Sequence, residues 1–292
     1  MSIFQAILLG ILQGLTEFLP VSSSGHLAIF KNLLHINLDS GMLYDVLLHV
    51  ATLIAICAVF FKDVVKLIVE FIMIVIDMFK NIGIFFGNVF GRRDEGYYPL
   101  THNSYRKFVV LIIVSTIPTG VIGYLMQDIV ETVSAGLIVP GICLMISGGI
   151  LLIADRAEKG RKKPKDTTYL DAFTIGMCQG VATLPGITRS GTTITACLLL
   201  GLDRKFAVKY SFIMSIPAII GALVLQMNDV STVSLEASEI VGYIIGMIVA
   251  AVVGFICIKI MMAVVQSQRF KAFAFYCLAI GAVSIIGALI LM

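Results

Sequence analysis

Glu17 lies among apolar residues and is followed, after Phe18-Leu19-Pro20-Val21, by Ser22, Ser23, Ser24, Gly25 and His26. A carboxylate, three hydroxyls and an imidazole within ten residues are the groups of acid/base and nucleophilic catalysis. Gln13 precedes Glu17 by four positions, so the two share one helical face. A carboxylate in an apolar segment is costly and usually faces a cavity or an ion. Pro20 ends one helix and the serines begin the next. One serine serves as the helix cap, but three exceed that need. The free amides of a helix start also make an anion site. His26 could give a proton, act as a nucleophile, or hold the loop by a hydrogen bond.

A second polar patch reads Pro-Gly-Ile-Thr-Arg-Ser-Gly-Thr-Thr over 185–193. Arg189 there needs an anionic partner, and its planar fork suits phosphate oxygens. An internal salt bridge to Glu17 is the alternative. Thr188, Ser190, Thr192 and Thr193 add donors around it. A carboxylate beside phosphates is repelled unless it is protonated or bridged by a cation. Glu17, with Gln13 beside it, could share a hard divalent ion, Mg²⁺ or Ca²⁺, with a substrate. Asp45 and His49 are also four apart, and line the same cavity or lie at its outer end. Tyr210 and Ser211 read as packing.

The elements that must position these residues follow from composition. Of 292 residues 59% are hydrophobic and 13% charged, and mean hydropathy is +1.01. That is an all-α polytopic membrane protein; the continuous apolar runs exclude an alternating β-barrel. The six cysteines fall in apolar runs without CxxC spacing, so neither a disulfide frame nor a zinc site is expected. The N-terminus lacks a basic region and reads as mature protein. Spans are expected near 43–61, 106–125, 136–154, 206–226, 240–265 and 270–291. From Arg156 to Lys165 six Lys/Arg meet one acid, Glu158, which marks a cytoplasmic loop. Loops 127–134 and 227–239 carry acids and no Lys or Arg, and should face outside. Arg269 and Lys271 mark another cytoplasmic turn.

Two stretches, 1–35 and 170–201, are apolar runs broken by the polar patches, and read as re-entrant helical hairpins. Shifted by 166, Ala6, Gly10, Gln13, Gly14, Ser24 and Gly25 meet Ala172, Gly176, Gln179, Gly180, Ser190 and Gly191. The glycines suit close helix packing; the polar matches do not follow from packing. Three spans after each hairpin give an inverted-topology repeat: 1–154, a basic loop 155–169, then 170–292, forming one membrane domain. Segment 62–90 places Lys66, Glu70, Asp77, Lys80, Asn81 and Asn88 on one helical face, as in an amphipathic helix or hairpin at the cytoplasmic surface; a full span is the rival.

The stretches Gln13–His26 and Pro185–Thr193 resemble the two signature motifs of the undecaprenyl-diphosphate phosphatases, the bacitracin-resistance type of membrane phosphatase. The resemblance covers nearly the whole chain. It implies hydrolysis of a membrane lipid, undecaprenyl diphosphate, to the monophosphate and phosphate in the bacterial cell membrane, with the site facing outside. It also implies lipid-carrier recycling for wall synthesis and bacitracin resistance. It maps the acidic motif onto Gln13 and Glu17, the serine-histidine part onto Ser22, Ser23, Ser24 and His26, and the arginine motif onto Thr188, Arg189 and Ser190. Gln13 stands where many members have a second glutamate, and Thr188 where serine is common, which makes that hydroxyl a ligand. The residues expected to act are Glu17, Ser23, His26 and Arg189, with Gln13, Ser22, Ser24, Gly25, Thr188, Ser190 and Gly191 binding substrate. Ser23 is the favoured nucleophile, activated by Glu17 or His26, and a water activated by the same groups is its rival. A homodimer is left open, and nothing calls for nucleic acid. The other class is a transporter or flippase for a lipid phosphate or another anion, because inverted repeats with broken helices also build carriers.

Overall fold

The computed structural model describes residues 2–33, 38–91, 94–134, 136–230 and 237–291, and these are helical but for the connecting turns and loops and an isolated bridge. The first half begins with α1 (Ile3–Phe18), α2 (Ser23–Leu33), α3 (Leu38–Val59) and α4 (Phe61–Phe90). It continues with α5 (Ser104–Leu125), α6 (Gln127–Ser134) and α7 (Ile138–Arg156). The second half holds α8 (Tyr169–Val181), α9 (Arg189–Leu199), α10 (Arg204–Val230), α11 (Ala237–Ser267) and α12 (Lys271–Leu291). Long apolar runs fold this way because lipid offers no partner to a backbone N–H or C=O, so each segment bonds to itself.

Helices α5, α7, α10, α11 and α12 are each long and apolar enough to cross a membrane. The sixth expected span, at α3, meets that test only together with α4, from which a 92° bend separates it. The expected outer loop at 127–134 is instead the short helix α6. Of the stretch 227–239, residues 231–236 lie outside the described residues, as do residues 34–35 of the first broken segment.

α1 and α8 each end where sequence chemistry forbids continuation. Pro20 follows the Leu19 cap of α1, and Ser22 then takes a left-handed φ of 69°. After α8, Pro185 precedes Gly186, whose φ of 94° suits glycine. A side chain on Gly186 would also strike the Pro140 backbone.

Packing partners exchange between the halves. α1 lies along α11, and α8 lies along α5; α7 pairs with α12, and α3 packs chiefly on α11 and also touches α10. Gly14 sits so close to α11 that an added Cβ would be 2.7 Å from Ala250 O. Gly180 meets Ile122 of α5 in the same way, at 2.7 Å. Such small-residue contacts drive helix association where no hydrophobic effect acts between helices. Tyr210 is buried on the Leu111 carbonyl at 3.0 Å and Ser211 on Thr193 at 2.6 Å.

The polar face of α4 has a partner that its own pattern could not reveal. Asn81 and Asn88 bond the backbone of Tyr98 and Glu95, and Arg106 spans Glu70 at 3.0 Å and Asp77 at 2.6 Å. The chain leaving α4 thus folds back along it, while its apolar flank, including Phe71, Phe79 and Phe86, stays exposed.

Candidate active site

The two helix breaks meet. Ser24 Oγ accepts from Gly186 N at 3.4 Å, and Arg189 at the start of α9 donates through Nη2 to Glu17 Oε1. The Glu17 side chain is only 4% exposed, and Arg189 24%. A carboxylate so buried would cost several kcal/mol without partners. It has three: Arg189 on one oxygen, and on Oε2 both Ser23 Oγ at 2.5 Å and Gln13 Nε2 at 3.1 Å. The salt bridge that ranked as the alternative for Arg189 is therefore present. It leaves the guanidinium partly open to the cavity.

The three serines separate by geometry. Ser22 is the cap: its Oγ accepts from Gly25 N at 3.4 Å, and the left-handed backbone turns it inward. Ser24 is the link to the second break and touches Ser22 Oγ at 3.3 Å. Ser23 alone points its hydroxyl at the carboxylate.

In the second break Thr188 caps α9, accepting from Gly191 N at 3.2 Å. Its own amide donates to Ser147 Oγ at 2.9 Å, and Ser147 donates to Gly186 O at 3.0 Å. Ser147, a hydroxyl in the apolar run of α7, thus fixes the turn; only its polarity in that run marks it in the sequence. Ser190 is buried 3.4 Å from Thr188 Oγ1, and Thr193 bonds Arg189 O. These hydroxyls stand behind the arginine and brace it.

A cavity of about 490 Å³ opens in front of this cluster. Glu17, Ser22, Ser23, Ser24, Thr188 and Arg189 form its polar end. Its other reach is lined by Gly120, Gly123, Val130, Ala218, Gly221 and Leu223, with Tyr124 and Gln127 among them. Most of these side chains are small or apolar. Gln13, Gly25, Ser190 and Gly191 are buried and do not line the cavity. They lie behind the groups that do.

The two histidines are placed differently from each other. His26, expected to act chemically, is 3% exposed and off the cavity wall. Its Nδ1 donates to Ser22 O at 2.7 Å, and its Nε2 accepts from Tyr276 at 2.8 Å, with the rings stacked. Both nitrogens are engaged, an arrangement that holds the loop. His49 does line the cavity, while Asp45 does not. Among the described residues no group of three or more His, Cys, Asp and Glu gathers as a metal cluster.

The family model described as "Bacitracin resistance protein BacA" matches residues 6–283. The chain is 40% identical to an undecaprenyl-diphosphatase of Methanosphaera stadtmanae over 291 residues, 100% of each chain. It is 37% identical to the protein of that name from Alkaliphilus metalliredigens, covering 99% of this chain and 100% of the relative. A Treponema denticola relative of the same name is 40% identical over 96% of each chain. The chain is a multi-pass helical membrane protein and belongs to the BacA bacitracin resistance family.

Proposed function

We propose that this chain hydrolyses undecaprenyl diphosphate to undecaprenyl phosphate and inorganic phosphate. The observation that carries this reading is the hydrogen-bonded line Ser23–Glu17–Arg189. It joins a hydroxyl, a base and a phosphate-binding cation from two separate breaks on one cavity wall. The names of the relatives agree with it.

In this mechanism Arg189 and the amides at the starts of α2 and α9 receive the diphosphate, and the prenyl chain follows the apolar reach of the cavity. Ser23 attacks the terminal phosphorus in line, and Glu17 Oε2, already bonded to that hydroxyl, takes its proton. Protonation removes the charge that holds Arg189 to Glu17. The guanidinium is then free for the phosphoryl oxygens as negative charge gathers on them, where preorganised positive charge is most effective. Because the serine hydroxyl already sits on the carboxylate, Ser23 is favoured over a water.

A divalent cation fits the donors present. Gln13 must present its NH₂ to the carboxylate, so its Oε1 is left buried without a partner beside Glu17. Glu17 and Gln13 Oε1 are hard oxygen donors of the kind Mg²⁺ or Ca²⁺ takes. Such an ion, when bound, supplies charge against the phosphates.

We place the cavity toward the outside of the bacterial cell membrane, with the basic loop 156–165 in the cytoplasm. The same reading treats the halves as an inverted repeat with two re-entrant hairpins, and α4 as a helix on the inner surface. It assigns the chain to lipid-carrier recycling for wall synthesis and to bacitracin resistance.

A carrier of lipid phosphate is the second reading, favoured by the exchange of packing partners between the halves. Purified protein in detergent separates the two, since one compartment permits hydrolysis but not transport. Phosphate release from undecaprenyl diphosphate is expected there. Activity confined to sealed vesicles, with no phosphate released, would sink the enzyme reading.

A further inference from the structure

A two-step route through Ser23 needs a second base. After the first step Glu17 carries the serine proton and must keep it for the departing Oγ, so it cannot also activate water. Among the described residues that line the cavity, the titratable side chains are Glu17, His49, Tyr124 and Arg189. Arginine stays protonated and a phenol is a poor base near neutral pH, whereas imidazole is suited to the task.

Both histidines near the site hold Nδ1 against a backbone carbonyl one turn back: His26 on Ser22 O, and His49 on Asp45 O at 2.8 Å. A carbonyl only accepts, so Nδ1 carries the proton in each neutral ring and Nε2 keeps a lone pair. In His26 that lone pair is taken by Tyr276. In His49 no hydrogen bond from the described residues reaches Nε2. His49 and Glu17 line the same cavity.

We propose that His49, and not His26, is the base that activates water in the second half of the reaction. This rests on the reading of the chain as a polyprenyl-diphosphate phosphatase acting through Ser23. In the first step the Ser23 Oγ–P bond forms and the bond from phosphorus to the bridging oxygen breaks. The lipid monophosphate leaves as a dianion, and Glu17 holds the serine proton. In the second, water attacks phosphorus and gives one proton to His49 Nε2. The P–Oγ bond breaks, and Oγ recovers its proton from Glu17. Hydrogen phosphate leaves, and His49 passes one proton to solvent.

The test is a rapid-quench assay in detergent with undecaprenyl diphosphate radiolabelled in its terminal phosphate, on wild type, His49→Gln and His49→Ala. General-base catalysis contributes about 10²-fold or more, so kcat should fall by that factor in both variants. Labelled enzyme should build up in both, and should be absent from Ser23→Ala. Two variants are read so that a folding defect in one leaves the other. Turnover within about threefold of wild type, or loss of turnover without labelled enzyme, overturns the role of His49. A wild-type protein that releases no phosphate overturns the phosphatase reading itself, which is a distinct outcome.

Discussion

Ser23 and Arg189 share one carboxylate: the serine donates to Glu17 Oε2 at 2.5 Å while the guanidinium holds Oε1. Residues 166 positions apart are thereby linked through a single buried group. That linkage predicts how the three neighbouring serines differ. Ser23→Ala should lower kcat about 10²-fold or more, because the attacking hydroxyl is gone. Ser22→Ala should instead cost about 1 kcal/mol of stability through its cap. Ser24→Ala should retain most activity. Phosphate release and thermal unfolding of the three variants check this ranking.

The same pair makes a prediction about stability. Arg189→Ala leaves the Glu17 charge buried with two neutral donors, and breaking a buried pair costs about 3–5 kcal/mol. Glu17→Gln combined with Arg189→Ala removes the stranded charge and should recover most of that loss. Activity should remain absent in the double variant. A double-mutant cycle on thermal unfolding, with phosphate release alongside, measures both.

Arg106 predicts an effect away from the cavity. It is 4% exposed and pairs with Glu70 and Asp77, tying α4 to the start of α5. Arg106→Met should take the guanidinium from both carboxylates, leaving Asp77 only Lys80 and Glu70 only Asn103, and should loosen α4. Hydrogen exchange in α4 should rise most. Glu70→Gln with Asp77→Asn in the same background should restore part of the protection.

How much was legible in the sequence depends on the range of the interaction. The long helices α5, α7, α10, α11 and α12 follow from apolar run length, and the breaks follow from Pro20 and from Pro185–Gly186. Glu17 and Arg189 stand out because charge inside apolar runs is expensive. The ranking of the serines was hidden, since it depends on the left-handed turn at Ser22 and on Gly186 reaching Ser24 from the other half. His26 and His49 are alike in sequence, and what separates them is tertiary: Tyr276, 250 residues from His26, takes its Nε2, and the cavity opens on His49 alone. The amphipathic face of α4 was visible at 62–90, but its partners at 95–106 lie on a returning segment that periodicity cannot place. The acidic stretch 127–134 looked like a loop, yet forms a two-turn helix with Asp128 in its first turn, where the helix dipole favours a negative charge.

The cation can be tested by removal. Activity should fall in excess chelator and return with Mg²⁺ or Ca²⁺. Gln13→Leu, which deletes the orphaned oxygen, should raise the cation concentration needed for half activity about tenfold, the effect typical of a group supporting a metal site. Turnover insensitive to chelator would remove the ion from the mechanism.

The most direct test of the central claim is phosphate release from undecaprenyl diphosphate by Glu17→Gln and Arg189→Lys, each purified in detergent beside wild type. Glu17→Gln removes the base on the first break. Arg189→Lys keeps the charge on the second but loses the fork. One shared site predicts that kcat falls at least about 10²-fold in each variant, although the residues belong to opposite halves of the chain. Near-normal turnover in both would contradict it.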